Sequence, residues 1–208
     1  MIDFTSVGKN GVIFQYEDII SLSGFNVLNR FREQGIDQLK DKSEVDLVMS
    51  YFNRDQYSVA DWVQQESSLP IQEYMNSPVM WKPSLLYAYK IIDTAYKSGV
   101  KNIMVHSNQY VKSIEDNMKT FTQPVTYIHG DIVPVLKQHP NITYITSLPD
   151  NIRKCADSGV PFVLTIVDDF GYVHKIIQDK VDEELRKKNI LVFFTSIISG
   201  GFIDTFEE

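Results

Sequence analysis

Cysteine is nearly missing from this chain: Cys155, the single one in 208 residues, can form no internal disulfide and no thiolate cluster for zinc or for iron and sulfur. A reducing compartment, hence the cytoplasm, is the expectation that follows. Long apolar runs are missing too. None approaches the roughly 18 residues needed to span a bilayer, and Met1 to Asn10 is polar and mixed where a signal peptide would be basic and then apolar. No membrane association is expected. An excess of basic residues is also lacking. With a net charge of −7 and scattered lysines, the chain offers no clustered cationic surface to neutralise a phosphate backbone, and this argues against broad nucleic-acid binding.

What is present is the make-up of a globular protein, with 43% hydrophobic and 23% charged residues. The length lies slightly above the usual span of one domain, about 100 to 200 residues, so one core with a modest insertion is expected. Gly11 to Phe14 is a short apolar run that reads as a strand buried on both faces. From Asp18 to Gln34 the spacing turns helical, with Ile19, Leu22, Phe25, Leu28 and Phe31 as apolar positions and Gly35 as the stop. Residues 36–81 carry no strand-like run. Val45, Leu47, Val48, Tyr51 and Phe52 have helical spacing, and a second helix is expected from Ser58 until Leu69-Pro70 interrupts it. The aromatic residues of this stretch read as packing against the main body.

After Lys82-Pro83 strands and helices alternate. Strand patterns run from Asn102 to His106, Val125 to Ile128, Ile142 to Ile145, Phe162 to Val167 and Leu191 to Phe194. Helical patterns run from Ser84 to Lys97 with Gly99 as its stop, then Val111 to Phe121, Asp131 to Gln138, Pro149 to Asp157 and Asp179 to Lys188. Short connections between alternating elements force parallel pairing and a sheet covered on both faces, with ligands at the carboxyl ends of the strands. The expected fold is therefore α/β, a Rossmann-like open parallel sheet built from residues 1–35 and 82–208, with residues 36–81 as a small helical insertion. The turns after Phe14, His106, Ile128, Ile145 and Val167 should share one edge.

Three of those turns carry polar groups in a recognisable order. Val12-Ile-Phe-Gln-Tyr-Glu-Asp-Ile-Ile20 holds Gln15 and Glu17 after the first strand. Lys82-Pro-Ser-Leu-Leu-Tyr-Ala-Tyr-Lys, followed by Gly99-Val-Lys-Asn-Ile-Met-Val-His-Ser107, ends in Ser107 with Asn108 beside it. Ile142-Thr-Tyr-Ile-Thr-Ser-Leu-Pro-Asp-Asn-Ile152 holds Thr146, Ser147 and Asp150. These segments resemble the first, second and fourth motifs of the haloacid dehalogenase (HAD)-like superfamily of phosphohydrolases.

The resemblance implies a HAD-like core with residues 36–81 as its cap. It also implies an aspartate nucleophile, a second aspartate two residues on as acid and base, a terminal Ser or Thr holding the phosphoryl group, and Mg²⁺ held by carboxylates. The chain departs from that pattern. Gln15 stands at the nucleophile position, and a neutral amide is a poor nucleophile toward phosphorus. Glu17 stands at the acid–base position with a longer side chain. Thr146 and Ser147 replace the fourth-motif acids, and their hydroxyls are weak Mg²⁺ ligands. The basic residue of the third motif is not evident among His129, Gly130, Asp131 and Lys137. Ser107 fits its position.

What the resemblance implies is thus a pseudoenzyme or strongly altered member that binds a phosphorylated small molecule or a protein partner. Its ligand-contacting candidates are Gln15, Ser107, Asn108, Thr146, Ser147 and Asp150, with no metal site and no cofactor expected. One alternative is a metal-dependent phosphatase or nucleotidase, with Glu17 as catalytic residue, a relocated acid such as Asp150, and a requirement for Mg²⁺. Another is a purely structural or inhibitory interaction protein, marked by an apolar patch on its cap or sheet edge.

Other chemistry-bearing residues read more simply as structure. Asp168 and Asp169 close a strand as the acids of phosphoribosyltransferases do, but Phe170-Gly-Tyr-Val-His follows in place of a Thr- and Gly-rich loop, so strand-end acids facing solvent are expected. His106 and His129 are expected to be hydrogen-bonded or exposed, with a relay between His129 and Asp131 as the sharper reading. Cys155 reads as a small buried residue rather than a reactive thiol. Gly200 and Gly201 lack the spacing of a dinucleotide fingerprint and read as a flexible turn. The stretch from Lys175 to Lys188 mixes both signs and reads as a solvated helix face.

Overall fold

The computed structural model describes residues 10–17, 19–21, 23–43, 46–47, 50, 59–68, 81–83, 88–108, 111–146, 149–160, 163–167, 191–196 and 201–203. In chain order the elements are β1 (Val12–Gln15), α1 (Ser23–Glu33), α2 (Val59–Ser67), α3 (Ala88–Lys97), β2 (Ile103–Ser107), α4 (Lys112–Met118), β3 (Thr126–His129), α5 (Ile132–Gln138), β4 (Thr143–Thr146), α6 (Pro149–Asp157), β5 (Val163–Val167), β6 (Leu191–Ser196) and β7 (Gly201–Ile203). The sheet order is β3-β2-β1-β4-β5-β6-β7. Strands β1 to β6 pair in parallel, so the five strands expected to share a direction do so.

Strand β7 runs antiparallel to β6, with Gly201 opposite Ser196. Gly201 therefore begins a strand rather than belonging to a turn, a correction to the sequence reading. Three residues starting with a glycine are too short for alternation to register. Gly200, Asp168, Asp169 and the stretch 175–188 lie outside the described residues.

Alternation along the strands sorts their side chains to two helical layers. On one face Val12, Phe14, Val105 and Ile145 pack with Leu28 and Phe31 of α1, Val63 of α2, Ile92 of α3 and Ile114 of α4. On the other, Ile13, Met104 and Tyr144 pack with Ile132 and Leu136 of α5 and with Ile152, Cys155 and Ala156 of α6. With both faces covered, β1, β2 and β4 are buried at every position, which is why β1 reads as an apolar run up to Gln15. Each large aliphatic or aromatic side chain so buried contributes about 1.5–3 kcal/mol. Among the described residues no helix is long and apolar enough to cross a membrane.

Between β1 and α1 the chain departs from the expected helix. The amides of Ile20 and Ser21 both donate to the Tyr16 carbonyl, and Glu17 forms a bridge with Ser21. These bonds close a loop, and α1 begins only at Ser23. Ile19 and Ile20 are fully buried all the same: the apolar spacing there encodes burial without helix. At the end of α3 the expected stop holds. Gly99 takes φ +81°, a conformation that costs a side-chain-bearing residue strain, and Val100 N–H then donates back to the Ala95 carbonyl at 3.2 Å.

Leu39, Leu47 and Val63, from the stretch 36–81, lie in the same apolar cluster as the strand residues, and α2 packs on α1. The point where the chain returns from that stretch is held by its backbone carbonyls. The Trp81 carbonyl accepts from the Tyr16 hydroxyl and from Asn117 Nδ2 at 2.7 Å. The Lys82 carbonyl accepts from Ser21 Oγ and Asn26 Nδ2, each at 2.9 Å. Four side chains, two from the loop after β1, one from α1 and one from α4, thereby grip two consecutive peptide units.

Two stability changes follow from this architecture. Gly11 has φ +144°, and an added Cβ would stand 3.0 Å from Asn102 Cβ and 3.1 Å from its carbonyl oxygen. Gly11→Ala is expected to cost about 1–3 kcal/mol, seen as a lower urea midpoint at unchanged slope. Asn117→Ala removes one of the two donors to the Trp81 carbonyl and leaves the Tyr16 hydroxyl in place. A loss of about 1 kcal/mol is expected, read in the same titration.

Candidate functional site

Strand β1 has β2 on one side and β4 on the other, and the chain proceeds outward in both directions from there. The crevice beyond the carboxyl ends of β1 and β4 is accordingly the topological switch point, where open α/β sheets place ligands. The register sets Gln15 beside His106 and Phe14 beside Ile145. Alternation then puts the side chains of Gln15, His106 and Tyr144 together on the α5–α6 face, one step beyond the apolar layer of Ile13 and Met104.

There the polar groups hydrogen-bond to one another. Gln15 Oε1 accepts from the Tyr144 hydroxyl and from Asn151 Nδ2 at 2.7 Å, and lies 3.0 Å from His106 Nδ1. Gln15 Nε2 donates to the Glu17 carboxylate, whose other oxygen accepts from Ser107 Oγ at 2.5 Å. Asn151 Oδ1 accepts from Asn108 Nδ2 at 3.2 Å, and His106 Nε2 donates to the Gly130 carbonyl at 2.8 Å. Gln15, His106, Ser107, Tyr144, Thr146 and Asn151 are all buried, while Glu17 is partly exposed and Asn108 exposed.

Burial sets the electrostatics. It holds the Tyr144 phenol well above its ordinary pKa, an effect reinforced by the Glu17 charge and opposed by a hydrogen bond with Thr146. Burial likewise raises Tyr16. For His106 burial lowers the pKa, the Gly130 carbonyl and the Asp131 charge push it back up, and Lys154 adds to the lowering.

The structure brings together most of the residues singled out from sequence. Gln15, Glu17, Ser107 and Asn108 belong to one hydrogen-bonded cluster, and Thr146 joins it through Tyr144. Gln15 meets protein side chains rather than open solvent. Ser147 and the side chain of Asp150 lie outside the described residues. Asp131 caps α5, accepting from the Val133 amide at 3.1 Å, and His129 is exposed on β3, so neither shows a relay between them.

Tyr144 and Asn151 were not singled out. Tyr144 stands two residues before Thr146, hence on the same face of the strand, and Asn151 stands in the first turn of α6. Their polar tips could have been matched to a buried Gln15 only by asking what satisfies it.

Among the described residues no group of three or more His, Cys, Asp and Glu side chains is placed to hold a metal ion. Glu17, the carboxylate of the cluster, already accepts from Gln15 and Ser107. Searches against family models, curated proteins and solved structures each found no match for the chain.

Beneath this cluster Cys155 is a buried thiol whose pKa is pushed from 9.0 up to about 12, by burial first and then by the Asp131 charge. The unfolded chain ionises near pH 9 while the folded chain keeps its proton. The contribution to stability is therefore full below pH 9 and is lost as pH rises toward 12. Unfolding free energy should fall more steeply across that window in the wild type than in Cys155→Ala. Iodoacetamide at neutral pH should label the thiol only once denaturant opens the fold.

Proposed function

We propose that this chain is a HAD-like protein that does not carry out phosphoaspartyl chemistry, and that its strand-end crevice serves to bind a phosphorylated small molecule or a protein partner. The observation that carries this reading is the state of Gln15. At the position where the resemblance calls for an aspartate nucleophile, its amide is wholly buried and faces Glu17, His106, Tyr144 and Asn151. A nucleophile needs a free lone pair aimed at the phosphorus, and the Gln15 oxygen spends its lone pairs on protein donors. Thr146, where a metal-binding acid is called for, is buried and hydrogen-bonded to Tyr144.

Parallel pairing of β1, β2 and β4 supports the family reading, since it sets Gln15, Ser107 and Thr146 on one edge. Asn108, exposed and tied to Asn151, is the residue best offered to a ligand there. The hydrolase alternative has one specific support: Glu17 stays partly exposed with Ser107 Oγ at 2.5 Å, so a carboxylate able to exchange a proton remains at the crevice. That alternative requires Mg²⁺ and a second acid.

The test is turnover of a panel of phosphomonoesters with and without Mg²⁺, for the wild type, Glu17→Gln and Gln15→Asp. No metal-dependent hydrolysis above background is expected from the wild type. Robust wild-type turnover that disappears in Glu17→Gln would sink the binding reading and promote the altered phosphatase. Turnover appearing only in Gln15→Asp would mark the crevice as one that lacks nothing but its nucleophile.

A further inference from the structure

At the amino end of β1, away from the crevice, stands the chain's one Asn-Gly pair, Asn10-Gly11. In such a pair the glycine nitrogen can reach the asparagine side-chain carbonyl carbon and close an imide ring, an approach that a Cβ on the second residue would hinder. Here the fold itself requires the glycine. Gly11 has φ +144°, and an added Cβ would stand 3.0 Å from Asn102 Cβ, so a larger residue at position 11 brings strain. Asn10 lies in an exposed turn. Among the described residues the Gly11 N–H donates to no acceptor and the Asn10 side chain makes no hydrogen bond. The carbonyl of the same peptide unit is engaged: the Asn10 oxygen accepts from Asn102 Nδ2 at 3.0 Å. A hydrogen bond to that oxygen draws charge off the peptide and makes the Gly11 N–H more acidic. Beyond the nitrogen the strand is held on both sides, since Val12 N–H donates to the Asn102 carbonyl at 2.9 Å and the Gly11 carbonyl accepts from Thr143 N–H at 3.2 Å.

We propose that Asn10 is a site of spontaneous deamidation in the folded protein. The Gly11 nitrogen, its proton passed to hydroxide, attacks Asn10 Cγ. A nitrogen–carbon bond forms, the bond from Cγ to the side-chain nitrogen breaks, and ammonia leaves with a proton returned by water. A second water then opens the imide at either carbonyl carbon. Opening at Cγ leaves an aspartyl residue at position 10, and opening at the main-chain carbonyl leaves an isoaspartyl residue, with the chain rerouted through Cβ and Cγ. Both products add a negative charge to a chain already at −7. They differ in what they do to β1. The aspartyl form keeps the main chain and the carbonyl that Asn102 holds. The isoaspartyl form inserts a carbon immediately before Gly11 and turns that carbonyl into a carboxylate, so the bonds of Asn102 to residues 10 and 12 cannot both keep their present geometry. Because β1 also carries Gln15, this modification loosens the strand from the end away from the crevice. The inference is independent of whether the crevice binds a phosphorylated ligand.

The test incubates the folded full chain in mildly alkaline buffer and follows it by peptide mapping with mass spectrometry, beside Asn10→Gln and beside the wild type unfolded in urea. In the folded wild type, the peptide bearing residue 10 should gain the mass that separates an acid from an amide, as two products of different retention, at a rate that rises with hydroxide concentration. Asn10→Gln, whose longer side chain disfavours the ring, should stay unchanged there. An unmodified peptide overturns the proposal, and so does modification confined to the urea-unfolded chain or equally fast in Asn10→Gln. The two aged forms, separated by ion exchange, are then compared in a urea titration. The isoaspartyl form should unfold at a lower midpoint than the aspartyl form, and Asn10→Asp should match the latter. Equal midpoints for the two forms overturn the main-chain displacement.

Discussion

Placing a primary amide, fully buried, at the end of an interior strand imposes a demand on everything around it. An amide carries two donors and an accepting oxygen, and leaving any of them unmet in a dry interior costs more than an average hydrogen bond returns. The Gln15 oxygen and one of its N–H donors are met by groups from β2, β4, α6 and the loop after β1. Those elements are thereby tied to one another at the carboxyl edge of the sheet, above an apolar layer that by itself specifies no orientation. Buried polar networks of this kind narrow the packings a core can accept when every member is satisfied.

The neighbouring residue does the complementary work on the other face. Tyr16 follows Gln15, so its side chain passes to the layer of α1, α2, α3 and α4, where its hydroxyl and Asn117 hold the Trp81 carbonyl. Gln15 and Tyr16 thus act on opposite faces of the sheet: one joins the strand ends and α6, the other holds the chain at Trp81. Leu39, Leu47 and Val63 of the inserted stretch share the main apolar cluster.

The same hydrogen bonding bears on chemistry. Ser107 and Gln15 both donate to Glu17. A phosphoryl group entering the crevice would have to compete with that carboxylate for protons, or rely on donors such as Asn108 at the rim. This separates a reading in which the site holds a ligand from one in which it drives a displacement, since the latter needs an ionised nucleophile and offsetting positive charge at the same place.

The alternation of strand and helix, the layer on each face, and the shared edge of Gln15, Ser107 and Thr146 were legible in the sequence. Periodicity reports burial, and short connections between alternating elements leave one direction of pairing. The stop at Gly99 was legible for a local reason, its backbone conformation. The turn at residues 19–21 and the strand β7 were not: the amides of Ile20 and Ser21 both close back on the Tyr16 carbonyl in place of a running helix in the first, and three residues carry no period in the second. Nor did the sequence by itself determine that Tyr144 and Asn151 close around Gln15, or that His106 turns toward it. Residues 15, 106, 144 and 151 meet only because parallel register sets three strand ends side by side and α6 packs back over them. Hydrogen-bond satisfaction in a buried space depends on that three-dimensional proximity, which only the tertiary structure decides.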